Sequence, residues 1–174
     1  MRLFAAILLF TAIISAEQIK IPVSFSAKFT QKITNPNKHI IHYSGTIRLN
    51  RSGALKWQYQ KPTKKEVCSD GNSLTIVDHD LEQVSFYRLN KTLDLVKILK
   101  KAKHHKDNIY VANYQDMLYT FSLDKAGRID QIAYKDTLEN TVNIHFHAMH
   151  YNTKAYPQSK MQCPYPPAYD IVNG

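Results

Sequence analysis

The 174 residues are 44% hydrophobic and 21% charged, enough apolar material for one globular domain with a real core and no call for a second. Lys and Arg number 23 against 14 Asp and Glu, a formal charge of +9, which in a cytoplasmic protein would make nucleic acid the first suspect. The opening residues exclude that compartment.

In "MRLFAAILLFTAIISA", Arg2 precedes an apolar run from Leu3 to Ile14, and Ser15 and Ala16 supply a small-residue exit. This is the layout of a secretory signal; the run is too short for the roughly 20 residues of a membrane-spanning helix. The expectation is a signal peptide over 1–16, cleaved near Ala16, and a single exported domain over 17–174. Outside the cytoplasm so basic a chain faces anionic membrane surfaces or acidic partner patches. Cys68 and Cys163 are the only cysteines, and an oxidising compartment predicts one bridge between them.

Period-two alternation dominates from Ser24 onward, the mark of strands with one buried face. Phe25, Ala27, Phe29 and Ile33 alternate with polar residues in "SFSAKFTQKIT", and Ile41, Tyr43, Ile47 and Leu49 follow around Gly45. "NRSGALKWQYQKP" puts Leu55, Trp57 and Tyr59 on one face and Lys56, Gln58 and Gln60 on the other. Leu74 and Ile76 lead into the polar turn "DHDLEQ", from which Val84 and Phe86 return. Lys91–Lys106 changes period: Leu95, Ile98, Leu99 and Ala102 define an amphipathic helix of about four turns, with Thr92 placed to cap its start. Ile109 and Val111, then Met117, Tyr119, Phe121 and Leu123, read as another strand pair before the hairpin signal "DKAG". Val142, Ile144, Phe146 and Ala148 form an inward set late in the chain. The proline-rich tail from Asn152 should cross the surface until a short strand at Tyr169–Val172. The fold predicted is mainly β: one strongly curved antiparallel sheet of eight or more strands, crossed by one helix.

Catalytic chemistry has little to stand on. The chain has no G-x-G-x-x-G, Walker or G-x-S-x-G array, so no phosphate cradle, nucleophile elbow or bound cofactor is expected. Asp78, Asp80 and Glu82 read as a solvated turn. His145, His147 and His150 face away from the inward set, and neither cysteine has zinc-site spacing, so no metal is expected. Eleven tyrosines among basic residues occur in single-strand nucleic-acid binders, but export and the lack of an RNP-like motif argue against that use, and curved sheets favour Tyr anyway.

"SFSAKFTQKIT", "SGTIRLNRSGALKWQYQKP" and "VCSDGNSLTIVDHDLEQV", in that order, resemble the LolA-type outer-membrane lipoprotein carriers of Gram-negative periplasms; "TVNIHFHAMHYN" and "PPAYDIV" extend the likeness. The resemblance implies an unclosed half-barrel covered by a helical lid, no enzymatic activity, and a concave apolar surface kept for the acyl chains of a lipoprotein. On that basis Phe25, Phe29, Ile47, Leu49, Leu55, Trp57, Tyr59, Leu74, Ile76 and Phe86 would line the cavity, and Leu95, Ile98, Leu99 and Ala102 would belong to the lid. Arg51 would match the family arginine that locks the lid. The implied partners are acylated lipoprotein cargo, an inner-membrane lipoprotein-releasing ABC transporter and an outer-membrane acceptor where one exists, with a monomer handling one cargo. Three departures stand out. Few residues remain before Phe25 for the family's N-terminal lid helix, which would leave the cavity more open and Arg51 against the Leu93–Lys103 helix alone; Ser52 stands where a proline is usual; and Thr153–Cys163 is an insert. Competing readings are a periplasmic binder of another amphiphile on the same fold, and a small secreted adhesin or inhibitor with a packed β-domain.

Overall fold

The computed structural model describes residues 18–88 and 94–173; the expected signal segment 1–16 and the expected helix cap at Thr92 lie outside them. Twelve strands form one sheet: β1 (Ser24–Thr34), β2 (Ile40–Asn50), β3 (Leu55–Lys61), β4 (Lys65–Ser69), β5 (Ser73–Asp78), β6 (Gln83–Arg88), β7 (Lys103–Lys106), β8 (Ile109–Tyr114), β9 (Met117–Leu123), β10 (Ile129–Lys135), β11 (Thr141–Asn152) and β12 (Asp170–Asn173). Their order is β12-β6-β5-β4-β3-β2-β1-β11-β10-β9-β8-β7, with β12 and β7 as its two edges. Every pair is antiparallel except β12 with β6.

The alternation of each strand sorts its side chains between a concave and a convex face. Phe25 and Phe29 on β1, Ile47 and Leu49 on β2 and Leu55 and Trp57 on β3 are buried in one cluster with Ile132, Val142, Ile144 and Phe146. Gly45 is where β3 and the Phe29 ring come closest to the β2 backbone. A Cβ there would lie 1.8 Å from the Gln58 carbonyl oxygen and 2.9 Å from the Phe29 ring, so only glycine lets β2, β3 and that ring meet.

Two expectations change. The helix α1 is Leu95–Lys101, about two turns rather than four, capped by Asp94, whose carboxylate accepts from Lys97 N–H. Past Ala102 the sequence "KHHK" has no apolar residue to hold a helix on the core, and it pairs instead with the open edge of β8 as β7. Late in β11 the inward set shifts by one residue. A bulge opposite Ala27 places Ala148 at φ 50°, exposed, and turns Met149 and Tyr151 inward in its place.

The tail lies against the convex face. Cys163 is disulfide-bonded to Cys68 on β4. Lys56 Nζ donates to the Gln162 carbonyl at 2.8 Å and pairs with Glu66 at 3.0 Å. Asn50 exchanges two hydrogen bonds with the Tyr156 backbone, at 3.0 and 2.9 Å. Thus Lys56, on the face opposite Leu55 and Trp57, is buried beneath the insert. A 3₁₀ turn at Gln158–Lys160 precedes the bridge, and β12 closes the chain against β6.

Candidate functional site: the covered concave face

The concave face is an aromatic floor. The Phe29 ring lies 5.0 Å from Trp57 and 5.3 Å from Tyr59, Trp57 stacks on Tyr59 at 6.2 Å, and Phe146 joins Trp57 at 6.4 Å and Phe25 at 6.5 Å. Leu74 and Ile76, half-buried, continue the floor through β5, because Ile76 pairs with Val67 beside Trp57, and Leu74 with Ser69 beside Leu55. Phe86 does not belong to it. In register Phe86 pairs with Thr75, next to Cys68 and Lys56, so it points to the convex side, where its ring meets Tyr165 at 6.1 Å. It lines a mixed polar and apolar cleft of about 760 Å³ between the tail, the 50–54 turn and β4–β6. The alternation around "DHDLEQ" could not reveal this, since Val84 and Phe86 share a face but which face depends on the turn.

The roof is α1. Leu95, Val96, Ile98, Leu99 and Ala102 are all buried against the floor, and they occupy the space that the sequence assigned to acyl chains. An open, vacant hollow is therefore corrected to a closed one, filled by the lid. The N-terminal lead contributes as well: Ile19 is buried in the same cluster and Ile21 packs against it. Residues 18–23 take no helical conformation. Sequence reasoning passed over Ile19, although Ile19 and Ile21 continue the alternation of β1.

Arg51 holds this lead rather than α1. Its Nε donates to the Pro22 carbonyl at 3.1 Å, its Nη2 to the Ile21 carbonyl, and its backbone N–H to Val23 at 2.9 Å. The expected contact with the Leu93–Lys103 helix is thereby replaced by a clasp on the segment that seats Ile19.

Two polar atoms on the concave side stand out. Gln31 Oε1 and Trp57 Nε1 are buried and have no hydrogen-bond partner among the described residues. Gln31 shares the parity of Phe29 and Ile33, the signal that places it inward. At the same end of the floor, tyrosines gather. Tyr43 and Tyr59 meet at 5.6 Å, Tyr119 and Tyr134 at 5.1 Å. Burial pushes the Tyr59 phenol well above its usual range, helped by Tyr134 and Tyr43, and burial with Tyr119 takes Tyr134 up to about 12, so both stay neutral at any physiological pH. Glu66, Cys68 and Cys163 come together on the convex side, but both sulfurs are committed to the bridge. His145 and His147 stack in parallel at 5.3 Å, exposed on the convex face as expected.

An apolar, curved, unclosed sheet roofed by a helix is an architecture that known proteins share. The sequence profile of the family described as "Outer membrane lipoprotein carrier protein LolA" matches residues 23–134. An outer-membrane lipoprotein carrier protein of Campylobacter jejuni is 38% identical over 149 residues, 86% of each chain. A protein of the same description from Helicobacter hepaticus is 32% identical over 115 residues, 66% of this chain and 64% of its own. The crystal structure of a LolA superfamily protein from Nitrosomonas europaea superposes with a TM-score of 0.51 at 11% identity, covering 83% of this chain and 93% of its own, a likeness of fold. The chain belongs to the LolA family. Among the described residues no helix is long and apolar enough to cross a membrane.

Proposed function

We propose that this protein is an exported, periplasmic carrier, without catalysis, that shields the acyl chains of lipoproteins beneath α1 and conveys them from an inner-membrane releasing transporter to the outer membrane. The observation that carries this reading is the pair Gln31 Oε1 and Trp57 Nε1, left unpaired in an otherwise apolar enclosure. An unsatisfied buried polar group costs about 1–3 kcal/mol, a cost a self-contained core avoids. A ligand that is mostly hydrocarbon but carries ester carbonyls and an amide supplies both missing partners.

Loading is an exchange. Each methylene buried stabilises the complex by ~0.8 kcal/mol, so acyl chains can replace the aliphatic side chains of α1 and Ile19 on the floor at little net cost. Phe25, Phe29, Ile47, Leu49, Leu55, Trp57 and Tyr59 contact the chains, with Leu74 and Ile76 at the margin. Leu95, Ile98, Leu99 and Ala102 are the displaced roof. Arg51 sets the balance by holding the lead closed; without its guanidinium, Ile19 leaves more readily and cargo is bound harder.

The test is release of a model lipoprotein from spheroplasts. Wild type should bring it into solution, while Arg51→Leu should retain cargo and pass less of it to outer-membrane vesicles. Release by neither would remove the carrier reading. Bare lipid rather than lipoprotein in protein purified from its own periplasm would turn the reading toward a free amphiphile.

A further inference from the structure

The convex cleft beneath the tail has no part in the concave site, because the sheet itself lies between them. The Cys68–Cys163 bridge is in its lining, with Thr75 and Phe86 beside it on the convex side of β5 and β6. The strap 156–165 forms its outer wall and is held before it reaches Tyr165: at Tyr156 by Asn50, at Gln162 by Lys56, and at Cys163 by the bridge. The wall is therefore in place before any ligand arrives, which lowers the cost of binding one. Its volume, about 760 Å³, falls within the roughly 300–1,000 Å³ of small-molecule sites.

The lining decides what fits. Asp70 is the only Asp, Glu, Lys or Arg in it, and that carboxylate already accepts from the Asn72 N–H at 2.8 Å, the Ser73 N–H at 2.7 Å and the Ser73 hydroxyl at 2.9 Å. An anion would find no cation there, and a cation only one engaged carboxylate; Arg88, opposite Ser73 in register, and Lys160, in the 3₁₀ turn, stand outside the lining. A hydrocarbon would strip water from the side chains of Ser52, Thr75, Gln158, Ser159 and Gln162, none of which is hydrogen-bonded to protein among the described residues, and would return nothing. An extended peptide could not add to the sheet, because β4, β5 and β6 each have a strand on both sides. Yet the cleft is not simply polar. Phe86 is 37% exposed and Tyr165 36%, and both rings line it, meeting edge to face at 65°.

Open aromatic carbon framed by unpaired amides and hydroxyls matches a ligand whose rings have C–H faces and a rim of hydroxyls. The C–H groups of a sugar face are drawn to the negative face of an aromatic ring, and each side-chain amide offers a hydroxyl both a donor and an acceptor. We propose that this cleft binds a short, uncharged saccharide, its ring faces on Phe86 and Tyr165 and its hydroxyls on Gln158, Gln162 and Thr75. The saccharide lies across the sheet from α1, so it does not compete with acyl chains. The proposal goes beyond cargo shielding, and its test contains no lipoprotein, so its failure would leave the carrier reading intact.

The experiment is titration of the oxidised, isotope-labelled protein with N,N′-diacetylchitobiose, maltose, digalacturonic acid and acetyl-trialanine amide, followed by backbone amide NMR shifts. Saturable shifts at Thr75, Phe86, Gln158 and Gln162 with either neutral disaccharide are expected, with Trp57 and Ile98 unmoved; the tighter of the two tells whether an acetamido sugar or a plain one is preferred. Phe86→Ala should weaken binding about tenfold or more. Gln158→Ala with Gln162→Ala should do the same without altering the fold, since both side chains are exposed and make no hydrogen bond among the described residues. Cys68→Ser with Cys163→Ser, which frees the strap, should abolish it. No saturable shift with either neutral disaccharide, shifts confined to the concave face, undiminished binding by the Phe86 and glutamine variants, or tighter binding of the acidic disaccharide or the peptide would each overturn the proposal.

Discussion

Asp136 accepts from the backbone N–H groups of Leu138 and Asn140, both at 2.9 Å, and Asp124 does the same for Ala126 and Arg128, also at 2.9 Å. Partial burial opposes ionisation of both, but these N–H groups, with the Asn140 amide and the Arg128 guanidinium, outweigh it and hold both carboxyls below the usual range. A depressed folded pKa contributes stability that is complete above the unfolded value, about 3.9, and is lost as pH falls through the folded one. Replacing both by Asn, which keeps the acceptor oxygen but does not titrate, should flatten the decline of the urea midpoint below about pH 4; an unchanged acid slope would mean that these turns do not govern it. Gly45 makes the other residue-scale case. Gly45→Ala forces a Cβ onto a backbone oxygen and should cost about 3 kcal/mol or more in denaturant titration. "DKAG" was legible as a turn because its chemistry is local. The need at Gly45 was not, because it depends on Gln58 and Phe29, which approach only once the sheet curves.

At the scale of elements, the proposed function has α1 compete with cargo for one surface, and that competition would separate a lid from an ordinary core helix. Ile98 is completely buried. Ile98→Ala should lower stability by about 2–4 kcal/mol, as large-to-small core changes do. If α1 is a displaceable roof, the same change should raise affinity for a diacylated lipopeptide about tenfold or more, since less packing must be given up. Loss of both stability and affinity would make α1 part of a fixed core. The bridge acts on a different element. It spans 95 residues, and in the chain-entropy model closing such a loop is worth about 4–5 kcal/mol, so Cys68→Ser with Cys163→Ser should lower the thermal midpoint substantially while the cavity floor stays intact. The helix itself was legible in the spacing of Leu95, Ile98, Leu99 and Ala102. Its end was not, because the edge of β8 captures "KHHK", a non-local event that charge and propensity do not announce. Phe86 failed for a related reason: alternation gives two faces but does not say which one is concave.

For the molecule as a whole, the sequence carried the sheet, its curvature, the bridge and most of the floor, because alternating apolar residues and an ordered set of family motifs both record burial. What it did not carry was occupancy. Whether a greasy face is open or roofed is decided by how far a short helix and an N-terminal lead reach across it, and here both reach: Ile98 and Ile19 lie against the floor, and Arg51 clasps the lead. The central claim is that acyl chains replace these side chains over Trp57. Trp57 is the only tryptophan in the chain, and it lies on that floor, which makes its fluorescence a direct reporter. The decisive measurement is titration of the protein with a lipopeptide whose acyl chains carry bromine. Strong, saturable quenching of Trp57 that the unbrominated lipopeptide does not produce is expected; binding of the brominated lipopeptide with Trp57 emission unquenched would contradict the account.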